Sequence, residues 1–377
     1  MNMKPLSLYF HIPFCARKCA YCDFASYSGR EGEMRHYFDE LLTEISQWSQ
    51  TTDFGLLSDR FHIQTIFIGG GTPTLADVEA IASITDQSWQ IADLAADVEI
   101  TIEGNPGTLT SEKLTAYRRA GINRLSLGAQ SFDDNLLRSL GRIHSAAQIA
   151  EAVDMAREAG FENINLDLMY ALPGQSMAQW RDTLDAAIEL GVPHISAYSL
   201  IVEDGTPMAA RVASGTAVLP DDDTVNAMQR EAIERLSKAD YGRHEISNYA
   251  KPGFECRHNL TYWRRGDYLG LGCAAHSMLD DCRFRNPDSL DAYLAGQRML
   301  DFQRLNDRDI LEEKVMLGTR MSQGTDRSLF EHGDNRRLER LISSGLIELD
   351  EHYLRLTTRG MELQNAVVLE LLEVLGC

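Results

Sequence analysis

"LSLYFHIPFCARKCAYCDF" (residues 6–24) joins an apolar, strand-like run to a loop with three cysteines, Cys15, Cys19 and Cys22. Cysteine thiolates are the usual ligands of iron–sulfur clusters. The spacing C-x3-C-x2-C lets one short loop wrap a cubane, each thiolate on a different iron. Position 24 is Phe24 rather than a fourth cysteine, so one iron is left for an exchangeable ligand. The competing reading is a zinc knot, with His11 or His62 as the fourth ligand. Structural zinc usually takes four protein ligands, and this spacing is unusual for it. The other cysteines are Cys256, Cys273, Cys282 and Cys377. Seven is an odd number and three crowd one loop, so ligation is favoured over a disulfide framework.

Working outward, the first strand is one of six. "IQTIFIGG" (63–70), "DVEITIEGNP" (97–106), "INRLSLGAQS" (122–131), "NINLDLMYALPG" (163–174) and "HISAYSL" (194–200) are the other apolar runs. Segments with helical periodicity separate them, including residues 34–48, 145–160 and 177–191. Thr110 is a plausible cap and Gly121 a helix stop. Strands alternating with helices predict a parallel α/β sheet, as an open sheet or a partial barrel short of eight units. Polar and glycine residues cluster just after these strands, on the rim where parallel α/β folds carry active sites. Beyond residue 205 the rhythm changes. Residues 221–241 read as an exposed amphipathic helix, 245–277 as irregular, aromatic and basic. From 308 the order is helix, helix, short hairpin, helix, a winged-helix-like pattern.

The chain has 377 residues, 44 % of them hydrophobic and 24 % charged, with a net charge of -20. That surface repels phosphate backbones, which argues against nucleic acid as a partner. No apolar run is long enough to span a bilayer. The first residues lack a signal peptide's apolar core, so a cytoplasmic location is expected.

With Tyr21 before its last cysteine, the loop resembles the signature of the radical S-adenosylmethionine (SAM) superfamily. That resemblance implies a partial (β/α)6 TIM-like barrel and a 4Fe–4S cluster whose open iron is chelated by SAM. Electron transfer from such a cluster cleaves SAM to a 5′-deoxyadenosyl radical. The resemblance also implies a SAM pocket formed by Tyr9, Tyr21, Gly70, Gly71, Thr72, Glu103, Gln130, Arg142 and Asp167. "GGGTPT" (69–74) would offer close backbone approach and free N–H groups. Arg142 would pair with a carboxylate. For each of these a cap or a surface ion pair is the alternative, and for Arg142 taken singly it is the plainer reading.

"EGNPGTLT" (103–110), "RLSLGAQSFDDNLLRSLGRIHS" (124–145) and "HNLTYWRRGDYLGLGCAAHS" (258–277) narrow the resemblance to the coproporphyrinogen-oxidase-like branch. Oxidases of that branch carry a cysteine where Phe24 stands and a longer segment before the cluster loop. Only 14 residues precede Cys15 here. Both departures favour the branch's heme chaperones over decarboxylation of coproporphyrinogen. Three regions are expected: a core over 1–205, a barrel-covering segment over 206–305 and a winged-helix-like domain over 306–377.

The HNxxYW motif, His258, Asn259, Tyr262 and Trp263, lies in the second region. It offers an imidazole for iron, aromatic faces for a macrocycle, and Arg257, Arg264 and Arg265 for propionates. A histidine satisfied by hydrogen bonds in a packed aromatic loop fits the same residues. The resemblance favours heme binding. Cys256 is a weaker ligand candidate; His244, Cys273 and His276 read as structural. The resemblance implies a chaperone that hands heme to acceptor proteins such as membrane respiratory enzymes, visiting the membrane face transiently. A radical SAM enzyme acting on a porphyrin is the alternative.

Overall fold

The computed structural model describes residues 3–376; the first two residues and Cys377 lie outside the described part. The six expected strands are β1 (Lys4–Ile12), β2 (Phe61–Gly70), β3 (Asp93–Gly104), β4 (Arg124–Gln130), β5 (Asn163–Tyr170) and β6 (His194–Ser199). Each pairs in parallel with the next in chain order. Their helix-facing residues, such as Ile68, Ile102, Leu127, Leu166 and Ile195, are fully buried. This is the burial that near-continuous apolar strands require when both faces of a sheet are covered.

Helices α1 (Met34–Trp48), α2 (Val78–Gln87), α3 (Ser111–Arg119), α4 (Asp134–Leu140), α5 (Ala146–Glu158) and α6 (Met177–Glu189) fill the connections. Side-chain caps set the starts of α3 to α6. Thr110 accepts from the Lys113 amide, while Ser145 with Gln148 and Ser176 with Gln179 form reciprocal capping boxes. Gly121, at φ +87°, follows α3.

β1 and β6 do not meet. The chain after β6 runs through α7 (Pro207–Ala213) and α8 (Asp222–Lys238), then extends both edges of the open barrel. β7 (Gly242–Arg243) and β8 (Asn248–Ala250) form an antiparallel hairpin whose β8 lies beside β6. After α9 (Arg257–Trp263), β9 (Tyr268–Leu271) runs parallel beside β1. β10 (His276–Leu279), β11 (Cys282–Arg285) and β12 (Leu300–Arg304) complete a twelve-stranded sheet. The stretch 245–277, read as irregular, therefore holds β8, α9, β9 and the start of β10. Its strands are too short to show a period and become legible only through their partners.

The C-terminal part has its own core, in which Val315, Phe330, Leu341, Leu354 and Leu371 pack together. α10 (Leu290–Leu294) packs in the barrel core, between β11 and β12 in the chain; in the C-terminal part α11 (Asp307–Gly318) precedes β13 (Thr325–Asp326) and α12 (Asn335–Ser343). The hairpin β14 (Ile347–Leu349) and β15 (Tyr353–Leu356), α13 (Thr358–Glu362) and α14 (Gln364–Leu375) follow. Arg265, after α9, pairs with Glu313 on α11 at 2.8 Å, and both side chains are about nine-tenths buried.

Candidate functional site

The cysteine loop leaves β1 at the rim of the barrel, and main-chain bonds fix its path. The Cys15 amide donates to Tyr27 O, the Tyr27 amide to Pro13 O, and the Ala20 amide to Leu140 O at the end of α4. Ala20 and Tyr21 pack on a small apolar cluster that includes Leu140, Leu172, Leu200 and Met208. Cys15, Cys19 and Cys22 thereby line one wall of a cavity of about 360 Å3. Burial, with the neighbouring thiols, pushes the Cys15 and Cys22 thiols up. Among the described residues, no three His, Cys, Asp or Glu side chains close on a single metal ion. The spread of the thiols suits a body larger than one ion. All six described cysteines are unpaired.

The opposite wall is built from strand ends. Tyr21, Gly70, Gly71, Thr72, Glu103, Gln130, Arg142 and Asp167 all line this cavity, brought together from positions 21 to 167. Gly71 has no room for a side chain: a Cβ there would lie 2.6 Å from Phe14 O and 3.0 Å from Cys15 Sγ. One expectation fails. The N–H groups of the glycine loop are not free, because Gly70 donates to Glu103 Oε2, Gly71 to Ile12 O and Thr72 to Phe14 O. The loop offers close approach to its backbone, not open donors.

Gln130 ends β4 at φ +64°, after a register shift between Leu127 and Gln130. Backbone strain of this kind costs about 1–3 kcal/mol and is tolerated where surroundings hold it. Arg142 donates to Gly128 O at 2.5 Å and points Nη1 at Cys19 Sγ, 3.5 Å away. Its buried Nε has no partner among the described residues, a donor suited to an anionic ligand. Glu103 faces Asp167; burial first, then the Asp167 charge, pushes its carboxyl up to about 8. Ser126, Met169 and Tyr198 also line the cavity. They went unnoticed because single residues within apolar strands carry no motif. Donors near thiolate sulfur, a carboxyl pair and an unused guanidinium N–H together fit a sulfur cluster with a zwitterionic ligand.

Tyr9 belongs elsewhere. It lines a second cavity of about 610 Å3, on the far side of the cysteine loop, with Tyr27, Tyr262, Tyr268 and His276. Its ring stacks on Phe67, the Glu103 charge reaches its hydroxyl, and that hydroxyl bonds His11 Nδ1 at 3.0 Å. Phe24 and Ser26 line both cavities, so the end of the cysteine loop is the partition between them.

The HNxxYW motif forms α9, with His258 one turn before Tyr262. Its hydrogen bonds can be counted proton by proton. Thr261 donates to Arg257 O, so Ser7 donates to Thr261, and Thr65 donates to Ser7. Thr65 must then accept from His258 Nδ1, at 2.8 Å, which leaves Nε2 to accept from the Tyr262 hydroxyl, also at 2.8 Å. His258 is 1 % exposed, and burial lowers its pKa to about 3, so the ring is neutral. Both nitrogens are spent. Asn259 is half-buried, and Trp263 packs under the Arg320 guanidinium; neither lines either cavity. Arg257 pairs with Asp97, Arg265 with Asp281 and Glu313, and Arg264 is exposed. Cys256 is fully buried beside Glu99.

Comparison with known proteins agrees with this geometry. The radical SAM superfamily model matches residues 9–187 and the HemN C-terminal domain model residues 305–363. The heme chaperone HemW of Haemophilus influenzae is 39 % identical over 336 residues, covering 88 % of this chain and 86 % of that protein. HemW of Lactococcus lactis is 34 % identical and covers 97 % of both; that of Escherichia coli is 44 % identical over 73 % of this chain and 71 % of its own. The crystal structure of coproporphyrinogen III oxidase (HemN) from Escherichia coli superposes with a TM-score of 0.83 at 26 % identity, covering 98 % of this chain and 90 % of that one.

Proposed function

Since the chain belongs to the HemW family of heme chaperones, within the radical SAM superfamily, we propose that it loads heme beside a SAM-binding iron–sulfur cluster and hands it to acceptor proteins. Cys15, Cys19 and Cys22 would hold a 4Fe–4S cluster. When bound there, such a cluster supplies a reducing electron and an open iron position. Thr72 and Arg142 direct donors at the Cys15 and Cys19 sulfurs and would offset thiolate charge. Glu103 and Asp167 would face the cationic parts of SAM, and the free Nε of Arg142 its carboxylate. Heme is the cargo. The acceptors would be heme proteins such as membrane respiratory enzymes, met at the membrane face by a protein in whose described residues no helix is long and apolar enough to cross a bilayer.

One observation carries this reading: the end of the cysteine loop lines two cavities, one at the strand ends and one with aromatic walls. The test uses one anaerobically reconstituted sample. Stoichiometric heme binding, transfer to an apo-acceptor and no turnover of coproporphyrinogen are expected. The second reading, an enzyme acting on a porphyrin, draws on the completeness of the first cavity. Conversion of coproporphyrinogen with formation of 5′-deoxyadenosine would establish it instead.

A further inference from the structure

Where on this chain would a heme sit? The HNxxYW histidine is a poor seat as it stands. His258 is 1 % exposed, and its one lone pair accepts from the Tyr262 hydroxyl. His11 is also buried, with Nε2 bonded to Ala25 O and Nδ1 to the Tyr9 hydroxyl. The second cavity holds one more histidine, His276 at the start of β10. It is exposed, and its ring makes no hydrogen bond among the described residues.

We propose that the second cavity is the heme seat and that His276 is the axial ligand to the iron. This rests on the heme-chaperone reading and adds a site to it. The cavity's volume of about 610 Å3 is within the range of roughly 300–1,000 Å3 typical of small-molecule and cofactor sites. Its walls are aromatic. Tyr262 and Tyr268 meet edge to face with ring centroids 4.8 Å apart, and Tyr27 stands across from them on the cysteine-loop side. Phe24 is 61 % exposed at the mouth, an uncovered apolar face that a macrocycle would cover. Such flat apolar surfaces suit a porphyrin, and a free imidazole supplies what ferric or ferrous heme takes as its proximal ligand.

The charges fit one orientation. Lys18, on the cavity rim, is exposed and bonds only the Phe24 carbonyl, leaving N–H groups for a propionate. Two carboxylates also line the cavity: Asp288, held by Arg285, and Asp23, which is exposed to solvent. The propionates would therefore point to Lys18 and solvent, the ring edge inward to Tyr262. The HNxxYW motif then acts from behind the wall: His258 fixes the Tyr262 hydroxyl, so Tyr262 presents its ring to the cavity. His258 is a positioning residue and His276 the one that touches iron.

The experiment is titration of hemin into the cluster-loaded full-length protein, read by the Soret band and, after reduction, by the iron–histidine stretch in resonance Raman. His276→Ala should weaken binding tenfold or more and remove that stretch. Added free imidazole should restore retention of heme by the variant on gel filtration, while its circular dichroism stays that of the parent. His276→Gln should behave like His276→Ala, and His36→Ala, an exposed imidazole on α1, like the parent. If His276→Ala and His276→Gln keep the parent's affinity and spectrum, the seat assigned here is wrong while the chaperone reading stands. If the parent itself binds no stoichiometric heme, the chaperone reading and the seat fall together.

Discussion

Glu103→Gln should reshape the pH dependence of stability. In the folded chain without ligand, the Glu103 carboxyl is pushed from its ordinary 4.5 up to about 8. Between those values the unfolded chain has released this proton and the folded chain keeps it. The folded state then binds more protons, so stability falls as pH rises, by at most about 1.4 kcal/mol per pH unit. From about pH 5.5 to about pH 7.5 this one group removes about 2.7 kcal/mol. Glutamine has nearly the same shape, and its oxygen can still accept the Gly70 amide that Glu103 Oε2 accepts at 3.1 Å. It carries no ionisable proton, so the Glu103 part of the slope disappears. Asp167 is also raised by burial and contributes its own slope in both proteins, which makes the difference between them the quantity to read. Urea denaturation of the cluster-free chain at the two pH values measures it. Parallel stability profiles for the parent and Glu103→Gln would show that Glu103 is ionised in the empty cavity, and the reasoning would fail.

Gly71→Ala puts a methyl 2.6 Å from Phe14 O and 3.0 Å from Cys15 Sγ; overpacking of that kind costs about 1–3 kcal/mol, and iron content after anaerobic reconstitution should fall while circular dichroism stays native. Full iron occupancy would mean the loops have room to separate. His258→Ala strips the Tyr262 hydroxyl of its acceptor and Thr65 of its donor, with an expected loss of about 1–3 kcal/mol for the groups left unsatisfied, read from urea midpoints; no loss would break the proton count. Arg265→Met leaves Glu313 with Arg283 alone, and losing its hydrogen bonds to charged partners costs about 1.5–3 kcal/mol. Limited proteolysis should then cut between α9 and α11 more readily, and unchanged protection would place the docking energy elsewhere.

The barrel was legible because its strands are apolar enough to be recognised singly. "IQTIFIGG" reads as a buried strand without any partner, and β2 is that segment with two residues more. The edge strands were not. β11 is "CRFR" and β12 "LDFQR"; four or five residues rich in charge have no period, and only pairing, of β11 with β10 and of β12 with β11, makes them strands. The first cavity was legible for a similar reason: parallel strands all present their C-terminal ends on one rim, so position after a strand predicts convergence. Tyr9 escaped that logic because it lies within β1, where alternation gives a face but not which of two cavities the face meets. His258 escaped it more completely. Whether a histidine lone pair is free depends on Ser7 and Thr65, which lie on β1 and β2, 251 and 193 residues away in sequence.

The cysteine loop explains why the two cavities belong to one machine. Cys15 and Tyr27 are tied by the Cys15 amide to Tyr27 O, and Tyr27 is tied back to Pro13. Lys18 holds the Phe24 carbonyl from within the same loop. Cys15, Cys19 and Cys22 face one cavity while Phe24 and Tyr27, a few residues on, wall the other. Any ligand that fixes the thiols also fixes the backbone that carries Phe24 and Tyr27. Free-energy coupling between two sites is reciprocal, so occupancy of the aromatic cavity must in turn bias the loop that holds the thiols. The residue at position 24 is where the two demands meet. A fourth cysteine there would turn the loop's chemistry toward the first cavity, whereas phenylalanine gives the partition an apolar face toward both.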